Sequence, residues 1–279
     1  MSDTALNSTA ADTIVLVHGL WMTPRSWEHW VTYYSEKGYK VLTPAYPGFE
    51  VEVEELRANP TIIETSTVPN VVAHLEEIIG ALDKPPILTG HSFGGTLVQI
   101  LLDHGFGAAG VVIDSAPTEG VLVNPISQIK SLFPILSHPG ERGHTAPFTA
   151  EQFHYAFTNT MSEEEAAMVY ERYYIPAPAT FVWGGVLANV TPGHQATYVN
   201  YHNDDRAPLL FIAGGEDNIM PASVNKSNAN HYKHSKAVTD FHEFPGRCHF
   251  TCGQEGWEAV ADYALEWATK NQKVAEAVS

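Results

Sequence analysis

The chain has 279 residues, 44% of them hydrophobic and 17% charged, with a formal net charge of −17. That length suits one large α/β domain with room for an insertion, able to bury its core without a metal or disulfide staple. With 32 Asp and Glu against 15 Lys and Arg, no clustered basic surface is available for nucleic acid or an anionic membrane. The acidity reads first as a solubility device and second as a bias against anionic substrates.

In chain order, residues 1–11 are small and polar and predict a flexible tail rather than a secretory leader. Thr13 to Val17 is an apolar run ending at His18-Gly19, the pattern of a buried parallel strand. Pro24 opens a helix whose apolar positions Trp27, Trp30, Val31 and Tyr34 recur at helical spacing, and Gly38 closes it. Tyr39 to Thr43 is a second strand, stopped by Pro44 and the Tyr46-Pro47-Gly48 turn. Glu50 to Thr67 reads as acidic and irregular. Val68 to Leu82 is a helix, Pro86 to Thr89 a third strand, Phe93 to about His104 a helix and Gly110 to Asp114 a fourth strand.

The alternation then breaks. Residues 115–204 are rich in Pro and aromatic residues, with one clear helix over Ser162 to Tyr173 whose Ser162 and Glu165 fit a capping box. Strands resume at Pro208 to Ala213 and Ala237 to Phe244, with helices near Ala222 to His231 and Gly256 to Lys270. Alternating elements of this kind predict a mostly parallel sheet of about six core strands flanked by helices, with ligands bound beyond the carboxyl ends of the strands. Residues 12–114 and 205–279 would form that core, and 115–204 a helical insertion.

The strongest local signal is Gly90-His91-Ser92-Phe93-Gly94, a G-x-S-x-G sequence between a strand and a helix. Glycines are needed there because the turn is too tight for neighbouring side chains, and the serine hydroxyl is left standing at the top of the sheet. A serine hydroxyl needs a base, and position selects His249 from the 14 histidines, because it lies just after the last strand. Asp217, after a Gly-Gly turn at the end of the fifth strand, is favoured as the acid that orients it; adjacent Glu216 and Asp114, at the tip of the fourth strand, are the rivals. Two amides must face the developing oxyanion. Phe93 supplies one; the loop after His18-Gly19 supplies the other, with Leu20 favoured over Trp21. His18 reads as a structural hydrogen-bonding residue.

Together the His-Gly loop, the Gly-His-Ser-Phe-Gly-Gly turn, the Gly-Gly-Glu-Asp run and the late Cys-His resemble the α/β-hydrolase superfamily over residues 12–114 and 205–272. The resemblance implies an α/β-hydrolase fold and a serine esterase or lipase-like activity with no metal and no organic cofactor. It implies that residues 115–204 are a cap shaping the pocket, and that the substrate is a small-molecule ester or lactone. The short N-terminus departs from the pattern, leaving no room for antiparallel edge strands. Two further readings keep the fold: a lyase or cofactor-free oxygenase using the same three residues, and a ligand receptor without catalysis.

Trp21, His91 and Trp183 are the candidate substrate-side residues, although His91 also reads as a packing residue pointing away from Ser92. The aromatic residues of the insertion, Phe133, Phe148, Phe153, Phe157 and Phe181 among them, would line an apolar pocket or form the cap's own core. Cys248 and Cys252 make no disulfide framework, which points to a reducing cytoplasm. No run reaches the ~20 apolar residues of a membrane span. The sequence leaves the oligomeric state open, a homo-oligomer included.

Overall fold

The computed structural model of the protein describes residues 10–273. Most of the tail expected over residues 1–11 lies outside them. Its last residue is already fixed, for Ala11 is buried and its amide donates to Gln272 Oε1 at 2.8 Å.

Six parallel strands form the sheet: β1 (Thr13–Val17), β2 (Lys40–Leu42), β3 (Ile87–His91), β4 (Ala109–Ile113), β7 (Leu209–Gly214) and β8 (Thr239–Phe244), ordered β2-β1-β3-β4-β7-β8. The four inner strands are buried along their whole length, as their unbroken apolar runs require. The edge strands β2 and β8 are partly exposed.

Helices cover both faces. On one, α1 (Glu28–Glu36) packs against α10 (Trp257–Asn271), with Tyr34 Oη donating to Ala261 O at 2.8 Å. Gly38, at φ 92°, ends α1 in the left-handed region that favours glycine. On the other face lie α3 (Val68–Gly80), α4 (Phe93–Asp103) and α9 (Ala222–His231). Residues Phe93 to Leu102 of α4 are buried on every side, so this helix is the centre of the core. Its one large polar residue, Gln99, is satisfied by Ser115, Asn228 and Tyr232, in keeping with the cost of an unpaired buried amide.

The stretch expected to be irregular over Glu50 to Thr67 contains a helix, α2 (Val53–Ala58), and a 3₁₀ turn (Pro60–Ile63). The signal is short: Val53 and Leu56, three apart, bury one face of a helix of under two turns.

Between β4 and β7 stand α5 (Ile126–Leu136), α6 (Ala150–Phe157), α7 (Glu163–Tyr173) and α8 (Ala179–Leu187), with a small ribbon of β5 (Thr145–Ala146) and β6 (Ala177–Pro178). The capping box of Ser162 and Glu165 starts α7. This segment is sewn to the sheet's upper edge by hydrogen bonds. Trp21 Nε1 donates to Ala146 O, Ile175 N to Trp21 O, Phe250 N to Phe157 O and Asn218 Nδ2 to Tyr155 O, all at 2.8–3.0 Å. Among the described residues no helix is long and apolar enough to cross a membrane.

Candidate active site

Ser92 sits between β3 and α4 with φ 55° and ψ −122°, a strained conformation for a residue with a side chain. The glycines around it are forced. A Cβ on Gly90 would lie 2.5 Å from the carbonyl carbon of Gly94, and one on Gly95 2.7 Å from Ser115 Oγ. The turn is locked from below by Ser92 N donating to Ile113 O at 2.9 Å, and by Ser92 O accepting from Gly95 N and Ala116 N. The first amides of α4 have no partner within the helix and present its positive end to the serine.

The loop after β1 closes on the same point. A Cβ on Gly19 would stand 2.8 Å from Ser92 Cβ, so only glycine lets that backbone pass. Leu20, Trp21 and Phe93 line the cavity that holds Ser92, and Trp21 is itself at φ 63°. His18 stays structural: its Nδ1 meets Gly19 O, its ring stacks on Tyr46, and the Tyr46 hydroxyl donates to its carbonyl.

His249 follows β8 and is completely buried. Its Nδ1 is 2.6 Å from Asp217 Oδ2, while Asp217 Oδ1 accepts from the amides of Ile219 and Met220, each at 2.8 Å. Asp217 can only accept from the ring if Nδ1 carries the hydrogen, so Nε2 is the basic nitrogen. Burial pushes His249 down to about 3, which keeps the ring neutral and able to take a proton. Phe157 stands edge-on to the ring at 4.6 Å and His91 packs under it at 4.7 Å. His249 Nε2 has no hydrogen-bond partner among the described residues, Ser92 Oγ included. Contacts of this kind often shorten only once substrate is bound.

Not every substrate-side candidate reaches the cavity. His91 turns away from it, with Nε2 2.8 Å from His249 O, and serves as a buried support for that residue. Trp183 lines a separate cavity of about 470 Å³ beneath Arg142. The reason is helical phase: Phe181, Val182, Gly185 and Val186 form the face of α8 toward Ser92, and Trp183 falls off that face. Most aromatic residues of the insertion are packed into its interior, whereas Phe133 points to solvent. Glu216 is exposed and takes no part.

The cavity at Ser92 holds about 490 Å³ and is lined mainly by aliphatic side chains. Sequence reading missed Gln128 and Leu132 of α5, Val182 of α8, and Met220. Gln128 is buried there with Oε1 unpartnered. Its signal is weak, because α5 also carries Ser127, Lys130 and Ser131 and nothing in the sequence sets Gln128 apart from them.

His91, Asp114 and His249 bring three ligating atoms within 4.8 Å of one another, the one such grouping among the described residues. Two ring nitrogens of the group, His249 Nδ1 and His91 Nε2, are already engaged as hydrogen-bond donors.

Cys248 and Cys252 are free and buried. Burial pushes the Cys248 thiol up to about 11, far from the thiolate form that reacts. The folded protein is therefore expected to leave both thiols unmodified by a disulfide reagent over minutes, and to release both in denaturant. Rapid titration of Cys248 in the native state would show this account of its burial to be wrong.

A profile of the alpha/beta hydrolase family matches residues 14–263. No curated protein matched the chain. Among solved structures, one similar fold is an extracellular alpha/beta-hydrolase from a Paenibacillus species, said to share structural and functional homology with tobacco salicylic acid binding protein 2. It is 24% identical, with 91% of this chain and 98% of that one covered and a TM-score of 0.64. A monoacylglycerol lipase of Paleococcus ferrophilus is 17% identical, covering 94% and 96%, with a TM-score of 0.63. A putative non-heme bromoperoxidase of Mycobacterium tuberculosis is 18% identical, covering 95% of each chain, with a TM-score of 0.68.

Proposed function

The chain belongs to the alpha/beta hydrolase family, and we propose that it works there as a serine hydrolase, cleaving a carboxylic ester or lactone of a small-to-medium apolar substrate through an acyl-enzyme intermediate. The observation that carries this reading is the strained Ser92 facing an apolar cavity, with its neighbour His91 packed on a buried histidine, His249, whose tautomer is set by Asp217.

His249 Nε2 takes the Ser92 proton as the oxygen attacks the substrate carbonyl. Phe93 and Leu20 amides hold the oxyanion, with the N-terminal end of α4 behind them. His249 then protonates the leaving alcohol and later activates the water that frees the enzyme. Asp217 keeps the ring oriented and balances the imidazolium. Residues 115–204 act as the cap, and their aliphatic lining selects a neutral, apolar acyl or ring group. Neither a metal nor an organic cofactor enters these steps, and the two unpaired cysteines fit a reducing cytoplasm.

Fluorophosphonate labelling with peptide mapping tests the reading: the adduct should fall on Ser92. A panel of neutral and anionic esters, lactones and amides across acyl lengths then names the substrate. An unlabelled Ser92 in folded protein would sink the proposal.

The acid limb of kcat/KM follows from the sign of the His249 shift. The neutral ring is the active form, and burial favours it. Activity on a neutral ester should therefore persist below the ordinary histidine range of about 6.5. A midpoint above that range in a pH–rate profile would contradict the assignment.

A further inference from the structure

We propose that Asp114 is a second, protonated carboxyl at this site, a positioning residue that backs His249 and takes over from Asp217 when that carboxylate is lost. The proposal rests on the hydrolase reading above only for its kinetic consequences.

Three non-glycine residues among those described have positive φ: Trp21, Ser92 and Asp114. Two of them stand at the proposed oxyanion loop and nucleophile, and backbone strain of this kind is retained where the local geometry is used. Asp114, at φ 49°, continues β4 just beyond its last paired residue. Its amide donates to Ile212 O, and its Oδ1 accepts from Gly214 N at 2.6 Å. These two bonds aim the carboxyl across to the neighbouring strand end that carries Asp217. A carboxyl oxygen of Asp114 and one ring nitrogen each of His91 and His249 lie within 4.8 Å of one another.

The other carboxyl oxygen, Oδ2, is buried and has no partner among the described residues. Asp217 instead receives two amides and the imidazole N–H. Two buried carboxyls that feel each other's charge do not both ionise, and the one with three donors keeps it. Burial and the Asp217 charge both push Asp114 up. The other groups facing it are Arg247, whose charge opposes that rise, the hydroxyl of Thr251, and the thiols of Cys248 and Cys252. Neutralising Asp217 removes the like charge. Asp114 then releases its proton to solvent and supplies the negative charge that an imidazolium at His249 requires.

Two arms test this. In difference infrared spectra at neutral pH the unsubstituted protein should show a protonated-carboxyl band that Asp114→Asn abolishes and that moves to lower pH in Asp217→Asn. This arm needs no turnover, and the comparison within Asp217→Asn stands even where Asp114→Asn fails to fold. In kinetics on p-nitrophenyl butyrate, Asp217→Asn should lose about 10- to 100-fold in kcat/KM, against the ~10⁴ expected where no substitute exists. Its profile should gain an ionisation from Asp114, and adding Asp114→Asn should cost a further 100-fold or more. The proposal is overturned if no such band exists, or if Asp217→Asn is as inactive as the double variant. It is also overturned if folded Asp114→Asn alone loses as much as Ser92→Ala.

Discussion

Ser92→Ala is expected to lower kcat on a p-nitrophenyl ester by roughly 10⁴- to 10⁶-fold, the range seen when a serine nucleophile is removed from a triad. The size follows from the chemistry: the covalent route disappears, and only the oxyanion amides and the binding cavity remain to help water attack. The fold should be untouched. Ser92 is held by its backbone, through Ile113 O below and the Gly95 and Ala116 amides above, and those bonds survive loss of the hydroxyl. Thermal unfolding should therefore coincide with that of the unsubstituted protein while turnover vanishes. A variant that still hydrolyses the ester at an undiminished rate would remove Ser92 from the reaction.

Gly94→Ala is the second large effect, and it falls on the fold. A Cβ there would lie 2.5 Å from His18 O and closer still to Val17 O. These are backbone atoms at the end of β1, with no flexible side chain to give way. Either α4 lifts or β1 shifts, and both are buried on all sides. Overpacking of a rigid core costs up to about 3 kcal/mol or more, a large share of a typical 5–15 kcal/mol. A melting temperature lower by ~10 °C is expected, or no soluble protein at all. The same displacement moves the loop carrying Leu20, so activity should fall even in molecules that fold. Gly184→Ala is the control, since a Cβ there meets nothing within 4 Å, and alanine gains up to ~1 kcal/mol in a helix. A Gly94→Ala melting point within 2 °C of the parent would contradict the packing argument.

The sheet was readable because its inner strands are unbroken apolar runs bounded by Gly and Pro, and because strand ends are where such folds put their chemistry. The proposed roles of Ser92, Asp217 and His249 rest on position along the chain, and those of Leu20 and Phe93 on the donors an oxyanion needs; the structure brings Ser92, Leu20 and Phe93 to one cavity and Asp217 to His249. The cavity could not be read in the same way. Helix α5 carries Pro134 and exposes Ile126, Ile129 and Phe133 while burying Leu132 and Ile135, so its apolar residues run all round and mark no inner face. The sequence of α8, ATFVWGGVL, is equally uniform, and which side faced Ser92 depended on how the helix was seated. For that reason the sequence does not show that Trp183 lines a different cavity from Ser92. Asp114 was visible as a rival to Asp217; that both carboxyls converge on one imidazole is a fact of three dimensions.

The hydrogen bonds joining residues 115–204 to Trp21, Asn218 and Phe250 bear on how this scaffold can be re-engineered. A foreign insertion grafted between β4 and β7 would strip three seams at once, each touching a loop that holds part of the proposed active site. Grafts that keep Tyr155, Phe157, Ile175 and Ala146 as anchor points, and vary only the aliphatic wall of α5 and α8, should exchange substrate preference without loosening the histidine.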